Sequence, residues 1–358
     1  MLGKVCVKAS NAEVLLGTPL SNCCKQETLL FDKRIVLCRN MLYVTQSIGS
    51  HVVPVTPVTA SKLYWGACIP KLLYGMDIMK VSDDIMINME KFHFSAAKHC
   101  QGLPNNTSNF GAIAAVGWHT LSAQIDLIRL LFLWRVLTLP MNCLYKKLII
   151  SRILEMLYKP GKLFLGPTKM LIDTCKKYGL VNVLKKAVTT GDFMTMNEWK
   201  KRIKELVNRR DRRRIIIGCS LYKVLDYLVF NTRSLSMSIW WLHAFRNPQF
   251  ARINRSIVRL LLNVECYGFK KCDNCLNESI NSTEHLLFEC EKNNDKRLAL
   301  WSRVILSCPL QLANDISAMS ARDRCIFILN GFYSPLIHEW NTTYCNVAMF
   351  IFNMLNME

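Results

Sequence analysis

Along most of this chain apolar residues return every three or four positions, the spacing that lines one face of an α-helix; only near the start do they alternate. "KVCVKA" alternates and "EVLLGTPLS" sets apolar residues before a Gly-Thr-Pro break, which predicts short strands within residues 1–20. From Lys25 onward helices dominate. "QETLLFDKRIVLCRNMLYVTQSIGS" spaces Leu30, Ile35, Cys38, Met41, Leu42 and Val44 helically and stops at Gly49. "VVPVTPVT" reads as an extended connector, and "ASKLYWGACIPKLLYG" as a buried helical stretch interrupted at Pro70 and ended by Gly75. A helix then starts at Ser82 as N-cap and ends before Gly102, and a long buried one runs from about Leu121 to Leu139. Further helices follow from Thr168 and Met196, and two or three more after Ser302, with "VAMFIFNML" as an apolar end that must pack.

The fold class expected is therefore mainly α with a short β N-terminus. Composition supports a globular chain: 358 residues, 51% hydrophobic and 20% charged. No internal repeat or low-complexity tract is visible. No apolar run reaches the roughly 18 to 20 residues that a membrane helix needs, and the most apolar stretch, "LIRLLFLWRVLTL", carries Arg129 and Arg135. No membrane partner is expected. The N-terminus has no signal-peptide pattern, which predicts a cytoplasmic or nuclear setting rather than secretion. In a reducing compartment most of the 16 cysteines are small apolar fillers.

Charge narrows the partners. With Lys+Arg 46 against Asp+Glu 26, the chain carries a formal +20 and attracts polyanions. The densest basic run, "KKRIKELVNRRDRRR" from Lys200 to Arg214, shows charges all round a helical wheel, so it is not expected to be a core helix over its whole length. Such a run is a solvated surface or a phosphate-binding element, in which Arg209, Arg210, Arg212, Arg213 and Arg214 are the candidates. "NPQFARINRSIVRLLLNVECYGFKK" is two-faced: Phe250, Ile253, Ile257, Leu260 and Leu261 lie on one side, Arg252, Arg255 and Arg259 on the other, and Lys270 and Lys271 follow. Cations for phosphates, with Tyr267 and Phe269 as rings for bases, suit a single-stranded nucleic acid.

The acid pair Asp83–Asp84 invites comparison with a polymerase metal pair. Such a pair belongs in a hairpin between strands, whereas "IMINMEKF" continues helically, so these carboxylates are read as favouring a helix N-terminus.

"KKCDNCLNESINSTEHLLFEC" holds the sharper metal signal. Cys272 and Cys275 are two residues apart, and His285 and Cys290 follow after nine and four intervening residues. A C-x₂-C loop aims two thiolates at one point, and ligands on a following helix, with Ser282 or Thr283 as its N-cap, complete a tetrahedral Zn²⁺ site. Four protein ligands leave no position for water, so the expected zinc is structural, one ion, contributing roughly 10–16 kcal/mol where such sites have been isolated. Cys266 lies close enough to compete as a ligand.

These residues bring a family into view. "LYWGACIPKLLYGMDIM", "GLPNNTSNFGAIAAVGWHTL", "LFLWRVLTLP" and "CDNCLNESINSTEHLLFEC", in that order, resemble the region downstream of the polymerase palm in non-LTR (LINE-like) retrotransposon reverse transcriptases. "VLLGTPLS" and the helix around "DKRIVLCRNML" are similar to the last palm strands and the start of the thumb; the resemblance covers most of residues 10–300. It implies a thumb/linker-like helical body with a CCHC zinc knuckle at Cys272, Cys275, His285 and Cys290 that assists RNA and DNA binding during target-primed reverse transcription. It also implies an order of regions: palm remnant 1–24, thumb-like 25–110, helical linker 111–248, basic helix with knuckle 249–300, and C-terminal helices 301–358. The palm's Mg²⁺-binding aspartates and the endonuclease have no counterpart here, so polymerase activity from this chain alone is not expected, and the palm and endonuclease regions of a parent polypeptide become candidate partners. Two rival readings stand beside it. One is a zinc-stabilised protein-interaction module. The other, a zinc deaminase, fails on its signature: no proline precedes Cys272, and His285 is followed by Leu286 and Leu287.

Overall fold

In the computed structural model the described residues are 12–15, 18–21, 24–47, 55–79, 81–158, 166–221, 225, 227–228, 235–262, 264, 283–291, 294–331 and 341–355. Within them the chain is mainly α. Two strands, β1 (Ala12–Leu15) and β2 (Thr18–Ser21), pair antiparallel with Ala12 opposite Ser21. Helices follow as α1 (Cys24–Ser47), α2 (Pro57–Leu63), a π-helical stretch Tyr64–Cys68, α3 (Ile69–Leu72), α4 (Asp83–Gln101), α5 (Asn109–Ala115) and α6 (Leu121–Leu137). Then come α7 (Leu144–Tyr158), α8 (Pro167–Lys177), α9 (Val181–Thr190), α10 (Met196–Ser220), α11 (Ile239–Arg246) and α12 (Ala251–Leu261). The last four are α13 (Asn294–Ser307), α14 (Leu310–Ala318), α15 (Ala321–Leu329) and α16 (Asn341–Leu355). The alternating segment "KVCVKA" and Gly49 lie outside the described residues.

Two local readings change. The connector gives way to helix at Pro57, whose fixed φ and missing N–H suit a helix's first position. Pro70 does not break its stretch either: the widened π-helical turn at Tyr64–Cys68 precedes it, and Pro70 sits in the first turn of α3, where an N–H is not needed. Ser82 does cap α4, accepting the amide of Ile85 at 3.4 Å, and Asp83 and Asp84 are exposed in its first turn.

The chain divides into two compact units that interleave along the sequence: Met1–Val44, Tyr64–His93 and Thr120–Asp211 in the first, Thr45–Leu63, Phe94–His119 and Arg212–Glu358 in the second. The first unit is built around two tryptophans. Trp134 of α6 and Trp199 of α10 stack at 4.1 Å between ring centroids and 12° between planes. Their indole N–H groups donate to the carbonyls of Met194 and Leu130. Leu130, Leu133, Ile153, Leu171, Cys175 and Ile203 close the cluster, so the buried rings keep both their apolar packing and their polar handle. Elsewhere in this unit Cys38 and Cys68 each donate to the other's carbonyl, at 3.4 and 3.6 Å. Arg129 reaches the carbonyls of Met76 and Met79.

The second unit has its own polar core. The side chain of Gln101, fully buried, donates to the carbonyls of Ala97 and Ala112 and accepts from the indole of Trp241. Trp118 donates to Ser61 at 2.6 Å and Trp240 to the carbonyl of Leu329 at 2.7 Å. Gly218 of α10 admits the ring of Phe110, which lies where a Cβ would sit. Gly117 follows α5 with φ +68°, and a Cβ there would come within 2.6 Å of the Met237 amide nitrogen.

Gly117→Ala meets both a left-handed backbone and a main-chain clash, so it should cost about 2–3 kcal/mol, read as a fall in the thermal midpoint. An alkaline titration tests the first core. Burial pushes the Cys175 thiol from 9.0 up to about 12, so between those values the unfolded chain has lost a proton that the folded chain still holds. Stability is full below about pH 9 and falls as pH rises toward 12, by about 1.4 kcal/mol per pH unit for this thiol. Cys175→Ala should make the urea midpoint shallower with pH over that range; an unchanged slope would count against the assignment.

Candidate nucleic-acid and metal site

The basic run is helical throughout, with charges all round the wheel and one residue in four buried. Trp199, Ile203, Val207, Asp211, Ile215 and Cys219 of α10 are all buried. Positions four apart precess by about 40° per step on a 3.6-residue helix, so this stripe winds around α10 and no single wheel face is apolar. Asp211 holds the middle of it, 4% exposed inside the sequence RRDRRR. Its carboxylate accepts from the Thr120 amide at 3.1 Å and from the Thr120 hydroxyl at 2.6 Å. Thr120 in turn caps α6 by accepting the Ala123 amide. Glu90 of α4, also buried, accepts from the amides of Leu121 and Ser122, so two carboxylates serve one helix N-terminus, where the macrodipole favours negative charge.

With Asp211 turned inward, Arg209 and Arg213 project about 160° away from it. Arg209, Arg210, Arg213 and Arg214 are exposed, while Arg212 is half-buried. Arg210 is committed locally: it donates to the carbonyl of Lys177 at 2.9 Å and lies over the ring of Tyr178 at 5.8 Å. Arg209, Arg213 and Arg214 are outward cations of the run, as are Lys200, Lys201, Arg202 and Lys204 nearer its start.

The stripe on α12 divides similarly. Ile257, Val258, Leu260 and Leu261 are buried together with Asn254, while Phe250 and Ile253 are only partly covered. Arg252 is exposed. Arg255 and Arg259 are half-buried, and the Arg255 guanidinium packs on Gly102, where a Cβ would come within 3.2 Å. Burial, then the neighbouring charge of Arg259, holds the Arg255 guanidinium below its ordinary range. Lys270 and Lys271 lie outside the described residues.

Of the four expected zinc ligands, Cys272 and Cys275 also lie outside the described residues, as does Cys266. Among the described residues no group of three or more His, Cys, Asp or Glu side chains is gathered for a metal. His285 and Cys290 are described, at 5% and 0% exposure. They bracket a π-helical turn, His285–Glu289, rather than the first turns of an α-helix, and the Cys290 amide donates to the His285 carbonyl at 2.7 Å. That i+5 to i bond sets the two residues one above the other, whereas an ordinary α-turn would swing them about 140° apart.

Residues with no metal or charge pattern to flag them hold this turn in place. Phe288 packs edge-on against Trp301 of α13 at 5.2 Å and, tilted by 34°, against Phe350 of α16 at 5.7 Å. Arg324 of α15 lies over the rings of Phe288 and Trp301 and donates to the carbonyls of Ile316, Ser317 and Met319 at the end of α14. The Arg297 guanidinium donates to the Cys290 carbonyl at 2.9 Å. Cys325 is fully buried, its thiol kept protonated by burial first and then by Glu284 and Glu289. No sequence spacing flagged Arg324 or Cys325.

Compared with described protein families, characterised proteins and solved structures, the chain matches none. Among the described residues no helix is long and apolar enough to cross a membrane.

The display of cations on α10 depends on Asp211. Asp211→Ala leaves the Thr120 amide and hydroxyl without their shared acceptor, a loss of about 2–3 kcal/mol, whereas Arg213→Gln should change stability by less than about 0.5 kcal/mol. Thermal unfolding of the two variants side by side measures the difference, and equal midpoints would refute the latch.

Proposed function

We propose that this chain is a zinc-stabilised RNA- and DNA-binding protein of the kind found downstream of the palm in LINE-like reverse transcriptases, where it would assist target-primed reverse transcription. What carries the reading is the turn after the C-x₂-C loop: His285 and Cys290 are both withdrawn from solvent and closed on each other by a main-chain hydrogen bond. Both lie in a segment with the spacing of a zinc knuckle, and Glu289 stands 4.0 Å from the His285 Nδ1. Cys272 and Cys275 would supply the other two ligands, and the ion would be structural, replacing the apolar core that a short polar segment lacks. Polyanion binding is supported by the +20 charge and by the exposed cations Arg209, Arg213, Arg214 and Arg252. None of these reads base edges by itself, so binding is expected to tolerate sequence and to depend on salt.

Elemental analysis of the purified protein should give one equivalent of zinc, lost in Cys272→Ser/Cys275→Ser. Titration with single-stranded RNA at several salt concentrations should show a steep log–log dependence. Each phosphate contact contributes about −0.7 to the slope, so changing Arg209, Arg213, Arg214 and Arg252 together to Gln should flatten it by about 2–3 without unfolding the protein. Absence of zinc removes the knuckle from the proposal, and salt-independent binding removes the nucleic acid.

A further inference from the structure

His243 of α11 has no exposed surface, and each of its ring nitrogens faces a side chain from a different helix. Nδ1 lies 2.8 Å from the carboxamide of Asn254 on α12, which is itself fully buried. Nε2 lies 3.5 Å from the sulfur of Cys345 on α16. Trp240, Phe250 and Tyr344 wall the ring at centroid distances of 6.2, 5.3 and 6.1 Å. Neighbouring hydrogen bonds fix the helices: Asn247 donates to the Asn341 side chain at 2.8 Å, and the Tyr344 hydroxyl donates to the Gly331 carbonyl at 2.6 Å. A thiol, an imidazole and a carboxamide in a row form a constellation that the nucleic-acid reading does not use.

We propose that Cys345 is a nucleophilic modification site for small uncharged carbon electrophiles, alkyl or acyl donors, with His243 as the proton acceptor and Asn254 as the residue that holds the imidazole. A thiol in contact with an imidazole nitrogen passes its proton to that nitrogen as sulfur attacks. The other nitrogen must then carry its own proton and be held by an acceptor. Asn254 suits that role: the second end of its carboxamide, Oδ1 as placed, makes no hydrogen bond among the described residues, so the group turns end for end at no cost in other bonds. With oxygen toward Nδ1, the amide accepts Nδ1–H and leaves the Nε2 lone pair facing the thiol.

Access separates Cys345 from the packing cysteines. Its residue is partly exposed, whereas Cys175, Cys219 and Cys325 are at 0%, 3% and 0%. Preference for an uncharged reagent follows from the surroundings. α16 carries no charged residue; Arg246 of α11, Arg252 of α12 and Asp295, Lys296 and Arg303 of α13 are exposed, Arg297 of α13 is bonded to the Cys290 carbonyl, and Arg255 lies on Gly102. Among the described residues Tyr344 is another titratable group against the ring, held neutral by burial. Burial raises the Cys345 thiol and lowers the His243 imidazole, so the resting pair is neutral and the proton moves with the attack. In that step the S–C bond forms while the bond from carbon to the leaving group breaks. The thiol proton goes to Nε2, and the leaving group departs with the bonding pair.

The test is limited alkylation of the full chain with iodoacetamide from pH 6.5 to 8.5, with each cysteine followed by peptide mass spectrometry. Cys143 and Cys308, also partly exposed, are internal controls. Cys345 should react at least about tenfold faster than either at pH 7 and at a nearly constant rate from pH 7 to 8.5. Thiols that react only as thiolates speed up about tenfold per pH unit over the same range. His243→Gln and Asn254→Ala, where folded by circular dichroism, should bring Cys345 down to the control rate and restore the slope. The unsubstituted protein decides alone if both variants unfold: a Cys345 rate or pH slope equal to that of Cys143 and Cys308 overturns the proposal. So does fast alkylation in folded His243→Gln.

Discussion

The N-terminus of α6 is the point that organises the first unit. A helix start presents unpaired amides and a partial positive charge, and in a chain with a formal +20 the acids that could answer it are scarce. Two are buried there. Glu90 arrives from α4 and Asp211 from α10, and with the Thr120 hydroxyl they take up the amides of Thr120, Leu121, Ser122 and Ala123. Because each carboxylate is withdrawn from water, losing either leaves buried donors unpaired, so the directions in which α4 and α10 approach α6 are set by charge as much as by apolar packing. The stacked Trp134–Trp199 pair then fills the space between α6 and α10 further along.

Asp211 does a second thing. By fixing how α10 is rotated, it decides which arginines of RRDRRR meet solvent. The same residue that neutralises part of the run therefore displays the rest, and Arg209 and Arg213 point outward because Asp211 points in. Nothing in the wheel pattern gave this away. A stripe with a period of four winds around a 3.6-residue helix, so averaged over 25 residues the apolar positions spread over every direction and the helix looks charged all round. Shorter amphipathic helices were legible for the converse reason. In α12 the stripe has no room to precess, and Ile257, Leu260 and Leu261 are buried as their spacing predicts.

Capping and turn chemistry were legible where one residue decides the outcome, as at Ser82. They misled where a neighbour absorbs the irregularity: Pro70 reads as a break, and the π-helical turn before it makes the break unnecessary. His285 and Cys290 stood out through their spacing. The scaffold that withdraws them from solvent did not, because Phe288, Trp301, Phe350 and Arg324 are separated by tens of residues and carry no motif. The interleaving of the two units escapes a reading from left to right for the same reason.

The row Cys345–His243–Asn254 carries this furthest. His243 and Asn254 are 11 residues apart, but Cys345 is 102 residues from the histidine, and each taken singly is an unremarkable core residue. Their meeting is supported by hydrogen bonds at the helix ends: Asn247 to Asn341 ties the start of α16 to the end of α11, and Tyr344 to Gly331 ties it to the residues after α15. A sequence pattern records the face that a helix buries, because burial repeats with the helical period. The pairing of polar atoms across two buried faces happens once, at one register, and so leaves no period to read. Side-chain chemistry of this second kind is found only when the helices are packed, and a basic, cysteine-rich chain whose visible motif points to zinc holds a second thiol environment that its motif does not mention.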